Sequence, residues 1–459
     1  MPGPQLVHTI RFAVQPHSFN RGARARLGDV WQVKLLSRGE PFVITSHPDH
    51  VQSLFKANPE DAPSLTGESP LRPILGPNSV LTLVGERHLR ERKLLLPPFH
   101  GEAVERYVEM ITQVARREID SWTVGRPFAL APRMQAVTLD VIMAGIFGIE
   151  GTPSKGTPEY RMRETFRWIL RLSTKPAWQL VELQNMGHAE PRGLMRSILT
   201  RTDRQLYSAI RARRAAGDSA GRSDVLSLLL EARDEHDQPL SDGHVRDELM
   251  SLVLAGHETT ANSLAWTFER LMREPAAYDA LRGVVRGGGG DADRYVEATI
   301  HEGMRVRPVI PMVVRMVKRP WRLGQYVVPA NTPVAVSIIA LHHREDVYPE
   351  PDRFRPERFL DRKQPDDAGA ARSSEAGRLA FRRPATYTWI PFGGGIRRCL
   401  GASLAMAEQK VVLSEIARRT DMTAPARRSE RARQRNVTTI PSRGGRVVVE
   451  RKLAECPVL

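Results

Sequence analysis

Cysteine is nearly absent from this chain, since its 459 residues include only Cys399 and Cys456. Two cysteines cannot build a disulfide framework, which predicts a reducing, cytoplasmic setting. The chain has no Cys-x-x-Cys pair, whereas structural zinc needs about four ligands that usually come in such pairs. A zinc module held by cysteines is therefore excluded.

Long apolar runs are also lacking. The first 22 residues contain no stretch that could form a membrane helix or the apolar part of a signal sequence. The apolar stretch 141–149 is too short to span a bilayer. From the sequence we therefore expect no transmembrane anchor.

Lysine is scarce as well, because nine of the 68 basic residues are lysines and 59 are arginines. The net charge is +16. Three explanations of this positive charge are open: solvated arginine-rich faces, a docking face for an acidic protein, or nucleic-acid binding. The sequence has no helix-turn-helix, zinc-knuckle or aromatic-basic sheet motif, so we expect no nucleic-acid partner. The charge run 425–435 is predicted to be a solvated loop.

Helical periodicity covers most of the chain. The longest helical pattern is 241–275, with Ser241 as its N-cap and Pro275 at its end. Strand patterns are short and scattered; they are 29–36, 40–46, 332–341 and 445–452. The sequence therefore predicts a mainly α fold with small β-sheets. With no clear linker, we expect one domain over 25–459, preceded by an N-terminal segment, 1–24.

Cys399 lies in the stretch FGGGIRRCLG (392–401). A lone cysteine is commonly a small buried hydrophobe, but that role does not call for glycines and arginines around it. The glycine run 393–395 allows a tight loop that approaches a flat ligand closely. Arg397 and Arg398 favour the thiolate over the thiol. A single thiolate ligand leaves the other coordination positions to a macrocycle, and haem fits that requirement.

Five segments together resemble the cytochrome P450 family. Any one would be a weak signal, but all five occur in the family's order. They are HLRER (88–92), AGHETT (255–260), EGMR (302–305), FRPERF (354–359) and FGGGIRRCLG, the last with Phe392, Gly395, Arg397, Cys399 and Gly401 at the characteristic positions. The resemblance implies the cytochrome P450 fold, in which haem is sandwiched between a long distal helix and a proximal cysteine-ligand loop and helix. It makes Cys399 the proximal iron ligand.

The resemblance also implies a structural triad of Glu302, Arg305 and Arg358. Glu302 and Arg305 are three residues apart in a helical pattern and therefore share one face. We expect a buried ion network that holds the loop presenting Cys399, rather than a surface pair of little consequence.

The segment AGHETT resembles the oxygen-activating centre of the distal helix. Ala255 and Gly256 would leave room beside the iron, and the hydroxyl of Thr259 would bond a backbone carbonyl and hold water. Glu258 would connect that water to bulk protons, which oxygen–oxygen cleavage consumes. The four residues are the expected catalytic group.

Cations should surround the two propionates of the haem, which we expect to be haem b, iron protoporphyrin IX. By resemblance these cations are His88, Arg92, Arg315 and Arg397. Phe392 and Gly401 are expected to contact the cofactor beside Cys399. The substrate-pocket candidates are Ile310, Met312, Val313 and Ile440.

The implied activity is that of a soluble, bacterial-type haem-thiolate monooxygenase, which uses O₂ to hydroxylate or epoxidise a hydrophobic small molecule. The chain has no flavin, nicotinamide or iron–sulfur signature. Electrons should therefore come from a separate protein, an acidic ferredoxin or flavodoxin with its reductase, for which the positive charge would provide docking. The alternatives are a partner-independent peroxygenase or peroxide-rearranging enzyme, and a non-catalytic haem sensor; Glu258 and Thr259 argue against both.

Overall fold

Helices make up most of the fold, which confirms the predicted class. The structure is a computed structural model that describes residues 4–35, 41–65, 71–149, 151, 153–173, 176–185, 188–219, 221–362 and 379–453. Cys456 and most of the segment 361–379 lie outside these ranges. The helices within them are α1 (Gln5–Val14), α2 (Pro16–Leu27), α3 (Pro48–Phe55), α4 (Arg72–Leu75), α5 (Gly85–Leu95), α6 (Glu102–Glu105), α7 (Tyr107–Asp120), α8 (Leu130–Phe147), α9 (Pro158–Ser173), α10 (Pro176–Asn185), α11 (Gly193–Ala216), α12 (Val225–Glu231), α13 (Asp242–Leu271), α14 (Pro275–Gly287), α15 (Gly290–Val306), α16 (Ile338–His342) and α17 (Ala402–Arg419).

The strands are short and form small sheets, as the sequence predicts. Those in the described ranges are β1 (Val30–Val33), β2 (Phe42–Thr45), β3 (Phe128–Ala129), β4 (Met312–Val317), β5 (Trp321–Leu323), β6 (Tyr326–Val328), β7 (Thr332–Ser337), β8 (Leu360–Arg362), β9 (Leu379–Phe381), β10 (Thr420–Thr423), β11 (Ala432–Arg435), β12 (Thr438–Pro441) and β13 (Arg446–Lys452). One sheet has the order β1–β2–β7–β4, with β2 and β7 parallel and the other neighbours antiparallel. A second has the order β10–β13–β3, and β5–β6, β8–β9 and β11–β12 are antiparallel pairs.

Helix α13 is the long central helix that the sequence predicts. The Ser241 hydroxyl accepts a hydrogen bond from the backbone N–H of His244 at 3.2 Å, which satisfies one of the free donors of the first turn. The helix ends at Leu271, and Pro275 begins α14. Its second half is buried on every side because α8, α15 and β12 pack around it.

The largest apolar cluster lies between the second half of α13, α15 and α17. Phe268 of α13 and Leu413 and Ile416 of α17 are fully buried in it. Helix α17 also packs against α7 and α14. This packing fixes the loop that precedes α17, and with it Cys399, relative to the long helix.

Helix α8 is longer and more apolar than the stretch 141–149 suggests. It has 18 residues and a mean hydropathy of 1.3, so by length and composition alone it could cross a membrane. However, 61% of this window is buried inside the protein, where the helix packs against α7, α12 and α13. A buried core helix passes the same test, so this finding is weak evidence for a membrane span.

The N-terminal helices pack on the four-stranded sheet. Phe19 and Ala23 of α2 are buried in one cluster with Trp31 of β1. The Asn20 side-chain oxygen accepts a hydrogen bond from the Ser337 hydroxyl at 3.0 Å. The predicted boundary between residues 24 and 25 falls inside α2.

Candidate active site

A cavity of about 600 Å³ lies between α13 and the loop that carries Cys399. Its walls come from α4, α5, α8, α10, α13, the start of β4, the cysteine loop and the tip of the β11–β12 hairpin. Most of the lining side chains are apolar. The predicted residues that line it are His88, Arg92, Ala255, Gly256, Glu258, Thr259, Ile310, Val313, Phe392, Arg397, Cys399 and Gly401.

The cysteine loop is closed by a hydrogen bond from the backbone N–H of Cys399 to the carbonyl of Phe392, at 2.9 Å. Gly395 has φ +63°, a left-handed conformation that favours glycine. A Cβ at Gly394 would come within 2.2 Å of the Phe55 ring, and one at Gly395 within 2.2 Å of the Phe55 carbonyl oxygen. Gly394 and Gly395 therefore approach the end of α3 closely, whereas Gly393 lines the cavity with open space at its Cβ position. The approach of this loop to a flat ligand stays a prediction.

The Cys399 thiol is accessible from the cavity and otherwise enclosed by protein. Burial raises the pKa of Cys399, whereas the N–H of Gly401 and the charges of Arg398 and Arg92 lower it. Burial is the largest effect, so the charge of Arg398 favours the thiolate, as expected from the sequence, without outweighing burial. A metal ion bound to the sulfur deprotonates a thiol outright, so iron would supply what the arginines do not.

Three arginines, Arg92, Arg315 and Arg397, lie beside the loop together with His88. Burial, with the charges of Arg397 and Arg92, lowers the pKa of His88 to about 3, so this ring is neutral near pH 7. Burial lowers the pKa of Arg315 to about 10; burial and the charges of Arg315 and Arg92 lower that of Arg397 to about 10. In the described part of the chain no carboxylate pairs with these three arginines.

Backbone contacts hold these cations in position. The Arg397 guanidinium donates to the carbonyls of Val80, at 3.3 Å, and Leu83. Arg315 lies over the Phe55 ring, 5.6 Å from its centroid. His88 is only 2% exposed, and its Nδ1 has no hydrogen-bond partner among the described residues. An unmatched buried cluster of this kind fits a dianionic ligand such as a haem with two propionates.

The structure brings the predicted triad together. Glu302 and Arg305 are fully buried and form a two-point pair, with Nε–Oε2 at 2.6 Å and Nη2–Oε1 at 2.8 Å. Arg358 Nε donates to Glu302 Oε1 at 3.3 Å, and the backbone N–H of Arg355 donates to the same oxygen at 2.8 Å. Arg305 also donates to the carbonyls of His342 and Pro351, both at 2.9 Å.

His342 connects this network to the cysteine loop. Its Nε2 accepts a hydrogen bond from the backbone N–H of Ile390 at 2.9 Å, two residues before the loop. Burial and the charge of Arg305 lower the pKa of His342 to about 3, so the ring is a neutral acceptor. The contact explains how the triad, with Glu302 and Arg305 on α15 and Arg358 outside it, can fix the loop that presents Cys399.

Residues 255–259 face the cavity from α13. The Thr259 hydroxyl donates to the Ala255 carbonyl at 2.8 Å, the bond expected from the sequence. Gly256 lines the cavity, and a Cβ there would also lie 2.9 Å from Ile142 Cδ1, so packing against α8 itself restricts this position. Glu258 Oε1 accepts hydrogen bonds from Arg435 Nε and Nη2, at 2.9 and 2.6 Å.

The substrate-pocket candidates divide into two groups. Ile310 and Val313 line the cavity, whereas Met312 and Ile440 are not among its described lining residues. Successive side chains of a strand point to opposite faces, so Met312 of β4 packs into the cluster on the other side of the sheet. At the β11–β12 hairpin, the turn residues Asn436 and Val437 and then Thr438 reach the cavity instead of Ile440.

Sequence reasoning missed several residues of the site. Arg435 and Thr438 both donate to Glu258, although they are about 180 residues away along the chain. Glu182 of α10 lines the cavity and accepts a hydrogen bond from Trp178 Nε1 at 2.8 Å. Burial, with the charge of Glu258, raises the pKa of Glu182 to about 7. The sequence signal that could have identified Glu182 is its position as the one acidic residue in the mostly apolar segment 176–185.

Comparisons with known proteins agree with this geometry. The family model "Cytochrome P450" matches residues 2–447. The chain belongs to the cytochrome P450 family. It is 36% identical over 425 residues to "Putative cytochrome P450 137" of Mycobacterium tuberculosis, covering 92% of this chain and 83% of that protein. It is 34% identical over 459 residues to "Putative cytochrome P450 135A1" of the same organism, covering 98% and 96%.

Solved cytochrome P450 structures share the fold. "Retinoic acid bound cyanobacterial CYP120A1" has a TM-score of 0.75 at 22% identity, covering 97% of this chain and 96% of that one. "Crystal structure of cytochrome P450DA heme domain" has a TM-score of 0.77 at 22% identity, covering 98% and 96%. Membership of the family makes this chain a haem-thiolate monooxygenase that uses O₂, an organic substrate and a source of electrons.

Proposed function

We propose that the chain binds haem b through Cys399 and hydroxylates or epoxidises a hydrophobic small molecule with one oxygen atom from O₂. The observation that carries the proposal is the cavity of about 600 Å³, which is lined by Cys399, by His88, Arg92 and Arg397, and by Ala255, Gly256, Glu258 and Thr259 of α13. Haem, when bound, supplies the iron centre at which O₂ is reduced, with a thiolate as electron donor. The residues of the chain bind the haem, orient the substrate and supply the protons.

The cations hold the propionates. Arg92, Arg397 and His88 line the cavity, and Arg315 lies beside them on β4. Charge-assisted bonds from guanidinium to carboxylate are the strong class of hydrogen bond, and each such bond would relieve the mutual repulsion of these groups. Binding of the propionates should therefore raise the pKa of His88 from its low value.

Thr259 and Glu258 organise the protons. Because the Thr259 hydroxyl bonds the Ala255 carbonyl, it competes for the acceptor of an ordinary helix bond and leaves room for water in this turn. Glu258 lines the cavity and also accepts hydrogen bonds from Arg435 and Thr438 of the β11–β12 hairpin, so its carboxyl group lies between the cavity and the hairpin. A carboxyl group in this position can hold a proton and pass it to water beside Thr259.

The substrate is hydrophobic. Apolar side chains from α4, α8 and α9 form most of the distal wall, including Ile74, Leu75, Ile142 and Ile169. The arginines that line the cavity, Arg92, Arg397 and Arg398, belong to the cofactor side. A fatty acid, terpenoid, steroid or macrocycle fits this lining, with the scissile C–H bond or alkene held close to Thr259.

An acidic ferredoxin or flavodoxin, itself reduced by a reductase in the cytoplasm, delivers the electrons. Helix α5 carries Arg87, Arg90 and Lys93 on its exposed face and Arg92 beside the cysteine loop. Arg90 is paired with Glu235, and Glu86 is exposed on the same helix, so Arg87 and Lys93 supply most of the positive charge that this face offers to an acidic partner near Cys399. Lys93→Glu should weaken partner binding and reduce its salt dependence, whereas Arg322→Glu, an exposed control on β5, should not. Affinity that is unchanged from low to high salt would contradict electrostatic docking.

Two experiments test the proposed reaction. A spectral-shift screen against a lipid and natural-product library should identify apolar ligands that displace water from the ferric iron. Turnover of a hit should then need a ferredoxin and its reductase. Turnover with peroxide alone, at a rate unaffected by the redox proteins, would instead favour a partner-independent peroxygenase, and no turnover in either assay would favour a sensor.

A further inference from the structure

Three side chains outside the haem site converge between α5 and α13. Glu91 belongs to α5, and His244 and Glu248 lie one turn apart on the same face of α13. One ligand atom from each, an imidazole nitrogen or a carboxylate oxygen, lies within 4.8 Å of the other two. The sequence gives no hint of this cluster, because Glu91 is about 150 residues away from His244 and Glu248 along the chain.

The cluster is buried and incompletely bonded. Glu248 is fully buried; its Oε1 accepts a hydrogen bond from the backbone N–H of Val80 at 2.8 Å, whereas its Oε2 has no partner among the described residues. Glu91 is 8% exposed, and its Oε2 lies 3.0 Å from His244 Nε2. Neither of these two atoms makes a well-formed hydrogen bond. A fully buried, unpartnered carboxylate oxygen aimed at two other donor groups needs a compensating ligand.

Charge balance points to a cation. Glu91 and Glu248 place two carboxylates in one buried group, and Asp247 is next to Glu248 in the chain. The nearest arginine on the same helix, Arg246, is engaged with Asp203 at 2.7 Å and Asp247 at 3.1 Å. A protonated His244 could neutralise only one of the two carboxylates, so the cluster has one uncompensated negative charge when both are ionised.

We propose that Glu91, His244 and Glu248 bind one Zn²⁺-class divalent transition metal ion. One imidazole nitrogen and two carboxylate oxygens are a ligand set that zinc accepts, with bond lengths of about 2.0–2.2 Å and water in the fourth position. The i, i+4 pair on α13 presents two ligands from one helix face, and α5 supplies the third. His244 is partly exposed, which gives the ion a path from solvent.

The ion would link the two helices that serve the haem. Helix α5 also carries His88 and Arg92, and α13 also carries residues 255–259. Val80, which donates to Glu248, accepts from Arg397 through its carbonyl. The metal site would therefore stabilise the position of the propionate-binding residues without contacting the cofactor or the substrate.

The test uses the haem-bound, untagged protein, dialysed against buffered micromolar Zn²⁺ and analysed for zinc and iron by mass spectrometry. Wild type should retain one zinc per haem, and His244→Ala and Glu248→Gln should lose it or bind at least about tenfold more weakly. His236→Ala is the matched control, since that ring is 76% exposed and lies outside the cluster; it should bind like wild type. A haem spectrum like that of wild type confirms that each variant is folded.

Zinc X-ray absorption supplies a second readout that does not depend on variants. One imidazole and otherwise oxygen neighbours are expected around the ion. Wild-type protein that retains no zinc, or a His244→Ala variant that binds like wild type, would overturn the proposal. A sulfur neighbour would do the same, since it would place the ion on a cysteine. If wild-type protein retained no zinc, a proton shared by Glu91 and Glu248 would explain why these two carboxyl groups lie close together.

Discussion

Glu302→Gln provides a strong test of the triad, because the chain contains its own control. Glu302–Arg305 and Glu350–Arg353 are both acid–base pairs at i, i+3, with closest N–O distances of 2.6 and 3.1 Å. The side chains of the first pair are 0% exposed, and those of the second are 52% and 61% exposed. Spacing and chemistry are therefore matched, and burial is the main variable.

The expected loss of folding free energy in Glu302→Gln follows from that difference in burial. Glutamine keeps the size of Glu302 but leaves the Arg305 charge uncompensated, and breaking a buried pair in this way costs about 3–5 kcal/mol. Arg305 retains its bonds to the carbonyls of His342 and Pro351, which favours the lower end of that range. An exposed pair contributes about 0–1 kcal/mol, so Glu350→Gln, the same substitution in the exposed pair, should be nearly neutral. The free energy of unfolding of a domain is about 5–15 kcal/mol in total, so the loss in Glu302→Gln is a large fraction of it.

The assay combines haem content with urea unfolding. Glu302→Gln should yield little haem-bound protein, and whatever folds should unfold at a much lower urea concentration than Glu350→Gln. Its ferrous carbon monoxide spectrum should lose the band typical of thiolate ligation, because His342 transmits the triad's position to the cysteine loop. If the two variants retained equal haem and unfolded within about 1 kcal/mol of each other, burial would not be the source of the triad's contribution.

Three further predictions concern the cavity. Arg435→Ala removes the guanidinium that lies 2.6 Å from Glu258 Oε1, so the carboxyl group should lose its fixed position beside the cavity and turnover should fall; an unchanged rate would exclude this ion pair from proton supply. Glu182 has a pKa of about 7, so its neutral form dominates below pH 7; affinity for an uncharged apolar ligand should fall by up to about tenfold from pH 6 to pH 8, and Glu182→Gln should abolish the trend in a spectral titration. Thr259→Ala should release more hydrogen peroxide per product formed, whereas Thr267→Ala, which loses a similar hydroxyl-to-carbonyl bond outside the cavity lining, should affect stability but leave that ratio unchanged.

The parts of the site that sequence predicts well are local in the chain. Glu302 and Arg305 share a helix face whatever the rest of the fold does, and the bond from Thr259 to Ala255 is a property of one helical turn. The Ser241 cap is local in the same sense. Each of these features requires only that the correct helix is predicted, and helical periodicity over 241–275 predicts the helix that Ser241 caps and that contains Thr259.

The parts that sequence reasoning missed depend on contacts between distant segments. The phase of a strand's alternation cannot be known until one of its side chains is placed, so Met312 and Val313 looked equally suitable for the pocket. The run 425–435 has the composition of a solvated loop. Its last residue, Arg435, is nevertheless only 14% exposed, because β11 brings it against Glu258 of α13. Composition describes an average over a segment, and a single buried ion pair is invisible to it.

Helix α5 combines two opposite electrostatic imbalances within two turns. Arg92 belongs to a cluster of arginines for which the described residues provide no carboxylate partner, and Glu91 belongs to a group of two carboxylates and one histidine. The opposite charges do not cancel each other, because the two clusters involve different neighbours: Arg397 and Arg315 for the first, α13 for the second. Leaving either buried charge unmatched is costly, so the helix is stable in its place only when ligands or protons compensate both. Propionates would compensate the first cluster and a divalent cation the second, which makes α5 the element whose stability depends most directly on bound ligands.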